Sequence, residues 1–305
     1  MANKQTTIKK PFKLSRIEEL GGKSVCVYFE KAPANNGIRF KTPSGDIPAL
    51  LDYVKSKTAF LDLARTLSLS NGKNDILVPE HLLGIVFGMG LDNANVTLET
   101  EESKSYYTLK GILGSSNSDV VPYLGQDLYD NLKNNLKEQR EPRKNLFLEQ
   151  RIKSDRLSME PIDRKGIIID IETDYKLRSR ERVIQSYKGE ITPELVKEIS
   201  SARTYCRVPH WSPKTLTKFI SGFFYLSQGW GNGSSKDTIF YPAKTANDWH
   251  AQERMEAEIT KHSILDKLGE MALLSGRLSG VKITSRGASH KHTMEFLQKN
   301  QDKFK

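Results

Sequence analysis

The stretch NNLKEQREPRKN, Asn134 to Asn145, is almost wholly polar, contains Pro142 and falls near the middle of a 305-residue chain. Domain boundaries fall in exposed polar segments of this kind, where few core contacts cross. The sequence therefore predicts a first domain over residues 1–135, a linker at 136–145 and a second domain over 146–305. A prior of ~150 residues per domain gives the same count for this length.

Both halves mix strand and helix signals. SVCVYF at Ser24 to Phe29 is β-branched and aromatic, and the Asn35-Asn36-Gly37 turn signal leads to a second strand at Ile38 to Phe40. LLGIVFGM follows Pro79, a residue suited to a first helical position, and predicts a helix from Pro79 to about Gly90. NVTLE at Asn95 to Glu99 alternates as a strand does. Leu124, Leu128, Leu132 and Leu136 recur every four residues and predict a helix over Pro122 to Leu136. In the second half GIIIDI at Gly166 to Ile171 reads as a strand, and Thr192 caps a helix reaching Ile199. A long helix over Glu253 to Ser275, a closing strand at Val281 to Ser285 and a loop carrying Ser289 to His292 complete the pattern. No repeat of ~20–50 residues is visible. The expectation is two α+β domains of similar size.

Lys and Arg number 47 against 37 Asp and Glu, a formal charge of +10. That favours an anionic partner. Without zinc-finger spacing, an aromatic RNA-binding signature or a basic tail, it argues against nucleic acid as that partner. The two cysteines, Cys26 and Cys206, stand outside any CxxC motif and support no disulfide framework. No apolar run approaches the ~20 residues of a membrane span, and MANKQTTIKKPFKLSR lacks a secretory h-region. A reducing, cytoplasmic location is expected.

Six histidines offer chemistry. His262 and Asp266, four apart on a predicted helix, present both side chains on one face and could share a metal ion; a solvated surface pair is the alternative. Glu80-His81 at a helix start suits a hydrolase in which a metal lowers the pKa of water and a carboxylate takes its proton. A first-turn acid beside a packed histidine fits the same residues. Ser289-His290-Lys291-His292 holds two candidates for a general acid. Thr204, in SSARTYC at Ser200 to Cys206, could donate to an oxyanion or simply end a helix. No dinucleotide fingerprint, P-loop, nucleophile elbow or HExxH zinc motif occurs.

Taken in order, these segments resemble the bacterial UDP-3-O-acyl-N-acetylglucosamine deacetylases, the zinc amidases that commit sugar nucleotides to lipid A synthesis. APANNGIRF at Ala32 to Phe40 and PEHLLGIVFGMGLDNANVTLE at Pro79 to Glu99 resemble two family blocks. ISSARTYC at Ile199 to Cys206, GNGSSKDTIFY at Gly231 to Tyr241 and ERMEAEITKHSILDKLGEMALL at Glu253 to Leu274 resemble three more, and the loop reaching His290 the last. The likeness runs, with gaps, from about Gly22 to Gln298.

The resemblance implies two facing two-layer domains with zinc between them, ferrous iron being the alternative ion. It implies His81, His262 and Asp266 as ligands and Glu80 as general base. It further implies His290 as general acid, with His292 the other candidate, Thr204 as oxyanion donor and Glu270 as the carboxylate orienting the acid histidine. Tyr205 falls at a family aromatic position, and FISGFFYL at Phe219 to Leu226 could line an acyl passage or pack as core. Ser263 stands where the family has a lysine and Ile167 where it has an aromatic residue near the uracil. Lys261 or the Arg178 to Arg182 cluster could supply charge for a diphosphate in their place. The implied reaction is removal of the N-acetyl group from an anionic, acylated sugar nucleotide, a substrate that would bring peripheral contact with the inner membrane. A paralogue acting on another acetylated amino sugar and a non-catalytic anion-binding protein are the rival readings.

Overall fold

A computed structural model of the chain describes residues 4–18, 22–55, 67–100, 118–177, 179–205, 239–240 and 243–305. Its frame is a pair of five-stranded sheets with one connectivity. In the first, the spatial order is Phe12–Ile17, Ser24–Lys31, Ala94–Thr100, Ile38–Lys41, Ile47–Pro48. In the second it is Ile152–Lys153, Leu157–Pro161, Val281–Arg286, Ile167–Lys176, Arg182–Glu190. Both sheets pair antiparallel, antiparallel, parallel and antiparallel across that order. In each, the strand that comes last in the chain fills the central place. The expected α+β class holds, and the two halves share a topology that left no repeat in the sequence.

Each sheet buries one face. Val25, Val27 and Phe29 point inward at alternate positions of Ser24–Lys31, as do Ile167, Ile169 and Ile171 of Ile167–Lys176. Against the sheets lie α1 (Glu80–Met89), α2 (Gly125–Lys133), α3 (Pro193–Ile199), α4 (Ala246–Gln252), α5 (Glu258–Met271) and α6 (His290–Lys299). Helix α1 leads into the central strand of the first sheet, and α5 occupies the matching place before the central strand of the second.

These two helices pack on each other, and glycines set the closeness. A Cβ on Gly84 would stand 2.3 Å from the Leu265 carbonyl oxygen, and one on Gly269 2.0 Å from that of Glu80. The contacts 84 to 265 and 80 to 269 run in opposite chain directions, so the helices cross antiparallel. Leu83, Ile85, Ile264, Leu265 and Leu268 are fully buried around the crossing and belong to one core spanning both halves. Each such side chain contributes about 1.5–3 kcal/mol of burial.

Three local expectations are corrected. The helix expected to run to Leu136 ends at Lys133, and residues Leu136–Pro142, a linker by composition, form a strand antiparallel to Lys4–Ile8. That strand is mostly exposed, which is why its side chains are polar. The long helix expected over Glu253 to Ser275 is shorter, α5 from Glu258 to Met271; it is preceded by a separate helix, α4, which ends at Gln252, and between them Glu253 is extended and Ala257 has φ 53°. The break lets Glu258 turn inward. Finally, His290 to His292 are not in a loop: Ser289 caps α6 and His290 is its first residue.

Candidate metal and acid–base site

The crossing of α1 and α5 brings the first turn of one helix against the body of the other. Helix α1 starts at Pro79-Glu80-His81 directly after Val78, whose φ of 58° is an uncommon left-handed conformation for a β-branched residue. Across from it, His262 and Asp266 share a face of α5 at the four-residue spacing. One ligand atom from each of His81, His262 and Asp266 lies within 4.8 Å of the others. His81 Nε2 is 3.3 Å and His262 Nε2 3.5 Å from Asp266 Oδ1.

The surroundings fix these groups. His262 Nδ1–H donates to the Ala202 carbonyl at 2.9 Å, which leaves Nε2 as the lone-pair nitrogen turned toward the cluster. Ala202 O also accepts from the Tyr123 hydroxyl at 2.8 Å, and the Tyr123 ring packs edge-on to His81 with centroids 5.5 Å apart. Burial pushes the His262 imidazole pKa down, with the Asp266 carboxylate working against it. Burial alone would raise the Asp266 carboxyl, but His262, His81 and His290 outweigh it and hold it well below the usual range. His262 Nε2 and Asp266 Oδ1 are sealed from solvent with no hydrogen-bond partner among the described residues. Two imidazole nitrogens and a carboxylate oxygen with such orphaned atoms fit a divalent cation.

Beside the cluster stand an acid and a base. His290 Nε2 lies 3.6 Å from Glu80 Oε1 and 3.9 Å from Asp266 Oδ2. Its Nδ1–H donates to Glu270 Oε1 at 2.8 Å. Burial disfavours the charged ring, yet Glu270, Asp266 and Glu80 prevail and its pKa is pushed up to about 9. His292, the other candidate, instead accepts from the Ser289 N–H at 3.3 Å and serves the helix cap. The geometry thus brings together Glu80, His81, His262, Asp266, Glu270 and His290.

Thr204 lies two residues beyond Ala202 on the short strand Thr204–Tyr205, parallel to Ile239–Phe240. The Lys261 ammonium is ion-paired with Glu198 at 2.6 Å. Ser263 donates to the Ile259 carbonyl at 3.1 Å, and Ile167 is part of the core. Arg182 is paired with Asp174. The Tyr205 side chain, Arg178, Cys206, Phe219 to Leu226 and most of Gly231 to Tyr241 lie outside the described residues.

Sequence reasoning missed Arg203 and Glu258. Glu258 is fully buried and accepts from Arg203 Nε and Nη2, each at 2.8 Å, from the Arg203 N–H at 3.1 Å and from the Arg254 N–H at 3.0 Å. This clamp anchors the segment that presents Ala202 to His262. Lys267 and Thr293 were missed as well. Nothing local marks any of these pairings in the sequence.

A buried His-His-Asp group with a carboxylate and an oriented histidine at its rim is the constellation of a single-ion metallohydrolase. A family model described as LpxC, UDP-3-O-acyl N-acetylglycosamine deacetylase, matches residues 5–301, and the chain belongs to that family. Among curated relatives named UDP-3-O-acyl-N-acetylglucosamine deacetylase, the Coxiella burnetii (strain RSA 493 / Nine Mile phase I) protein is 27% identical over 294 residues, 92% of this chain and 86% of that one. The Oleidesulfovibrio alaskensis protein is 29% identical, covering 90% and 82%, and that of Teredinibacter turnerae 25%, covering 91% and 84%.

Proposed function

We propose that this chain is a zinc-dependent hydrolase that removes the N-acetyl group from UDP-3-O-acyl-N-acetylglucosamine, releasing acetate, in lipid A biosynthesis. The observation that carries the reading is the convergence of the His81, His262 and Asp266 ligand atoms within 4.8 Å, at the rim of which Glu80 and His290 meet. These three residues would hold the ion; ferrous iron suits the same donors. When bound, zinc supplies electrophilic polarisation of an amide carbonyl and lowers the pKa of water.

The remaining chemistry belongs to the chain. Glu80, buried at the start of α1, accepts the proton of the attacking water. His290, whose ring is held toward its protonated form by Glu270, delivers a proton from Nε2 to the departing amine. Glu270 holds the ring in place through Nδ1, so the acid needs no reorientation. Thr204 donates its hydroxyl to the developing oxyanion. Tyr205 meets the acyl chain, and Lys261 adds positive potential near an anionic substrate while paired to Glu198. The enzyme works in the cytoplasm, with peripheral contact to the inner membrane where its acylated substrate resides; no helix among the described residues is long and apolar enough to cross a membrane.

The test is acetate release from UDP-3-O-acyl-N-acetylglucosamine by the purified protein before chelation, after it, and after zinc is restored. The expected result is activity lost and regained with the metal. Zinc-independent turnover, or none by the zinc-loaded protein, would overturn the proposal.

A further inference from the structure

Lys267 is one of the most buried charged residues described, with 3% of its side chain exposed, and it lies one turn before Glu270, which is fully buried. Taking such a pair out of water costs several kcal/mol per ion unless the geometry is good and every proton is satisfied. Here every proton is. The ammonium donates to Glu270 Oε1 at 2.9 Å, to Glu270 Oε2 at 2.7 Å and to Thr293 Oγ1 at 2.8 Å, which exhausts its three donors.

Both routes leading from Lys267 end on the segment that carries His290. Through Glu270, the same Oε1 that Lys267 holds accepts from His290 Nδ1 at 2.8 Å. Through Thr293, the hydroxyl donates to the Ser289 carbonyl at 3.2 Å, at the cap of α6 immediately before His290. A glutamate has three side-chain torsions to fix, and one hydrogen bond from an imidazole does not fix the plane of its carboxylate. An ammonium gripping both oxygens does.

We infer that Lys267 is a positioning residue for the reaction: by clamping the Glu270 carboxylate and tying it to the first turn of α6, it holds the His290 ring where Nε2 faces Glu80 and Asp266. The inference rests on the deacetylase reading for its kinetic consequence but not for its geometry. Groups that orient an acid or a ligand histidine typically cost ~10–100-fold in activity or metal affinity when removed. Lys267 acts mainly through Glu270, with Thr293 the lesser route, so its removal adds little once Glu270 can no longer be gripped.

The test compares Lys267→Met, Glu270→Gln and the double variant at equal zinc content, together with the imidazole N–H resonance of His290 in 15N-histidine-labelled protein. Lys267→Met is expected to lower kcat by at least about tenfold, within the range of orienting residues, with KM within about twofold. The double variant should be scarcely slower than the slower single one, and the His290 Nδ1–H resonance should shift or broaden. Thr293→Val, which keeps shape and charge, should move the same resonance and lower kcat by a smaller factor. Independent losses that multiply in the double variant, a defect confined to KM, or a His290 resonance unmoved in both Lys267→Met and Thr293→Val would overturn the inference. A wild-type protein that binds zinc but releases no acetate would sink the deacetylase reading instead, and the resonance would still decide whether Lys267 positions His290.

Discussion

Gly269 on α5 stands directly against the backbone of Glu80 on α1: a Cβ there would lie 2.0 Å from the Glu80 carbonyl oxygen. This contact sets the distance between the two helices that supply the ligands, so the site depends on a residue with no side chain. Gly269→Ala must push α1 away, and overpacking of this kind costs ~1–3 kcal/mol or more. The variant is expected to have a lower melting temperature and, because an error of ~1 Å in a reacting geometry can cost ~100-fold, far lower kcat. Calorimetry and acetate release check both; normal activity at normal stability would show that the helices do not set the site.

Zinc should stabilise the folded chain only through His81, His262 and Asp266. A ligand that binds the native state alone raises stability by about 2.7 kcal/mol at a hundredfold excess over its dissociation constant. Thermal unfolding with and without zinc is expected to show a clear upward shift for the wild type and almost none for His81→Ala or Asp266→Asn. An equal shift in those variants would place the ion elsewhere.

The metal-free protein should lose stability on the alkaline side through His290. Its folded pKa, about 9, lies above the ordinary 6.5, so the stabilisation is complete below about pH 6.5 and disappears as pH rises through about 9. Denaturant unfolding across that window should show the decline in wild type and a flatter profile in His290→Gln. Parallel profiles would mean that the Glu270, Asp266 and Glu80 carboxylates do not hold the proton.

On the acid side the sign is opposite. Burial would raise the Glu258 carboxyl, but hydrogen bonds from Arg203 and from the backbone of Arg254 and Arg203 hold it below its ordinary 4.5. Its contribution is present above about pH 4.5 and is lost as pH falls through the lower folded value. Arg203→Met leaves a buried unpaired carboxylate, an expected loss of ~3–5 kcal/mol, and raises the pH of acid unfolding. Circular dichroism during acid titration measures the shift; an unchanged midpoint would contradict the clamp.

Ser24–Lys31 and Ile167–Lys176 were legible because a buried alternate face is a local property, whereas Lys4–Ile8 and Leu157–Pro161, which also bury one face, were not anticipated. The placing of the last strand at the centre of each sheet is a long-range pairing with no local signature. Leu136–Pro142 reads as a linker because nearly all of its side chains face water, although its backbone is paired to Lys4–Ile8. For the site, four-residue spacing joined His262 to Asp266 on one face of a helix. Nothing in residues 79–90 by themselves ties His81 to that face; the order of the family motifs did, and the helix crossing supplies the physical reason. Lys267 and Arg203 stayed invisible because a charge in the sequence does not announce that it is buried, and their partners Thr293 and Glu258 lie 26 and 55 residues away.

The proposed reaction requires a metal held between α1 and α5. Diffraction data collected on either side of the zinc absorption edge from crystals of the zinc-loaded protein test that most directly. A single anomalous peak ~2.0–2.2 Å from a nitrogen of His81, a nitrogen of His262 and a carboxylate oxygen of Asp266 is the predicted result. A peak bound by other residues, or none in protein that retains deacetylase activity, would contradict it.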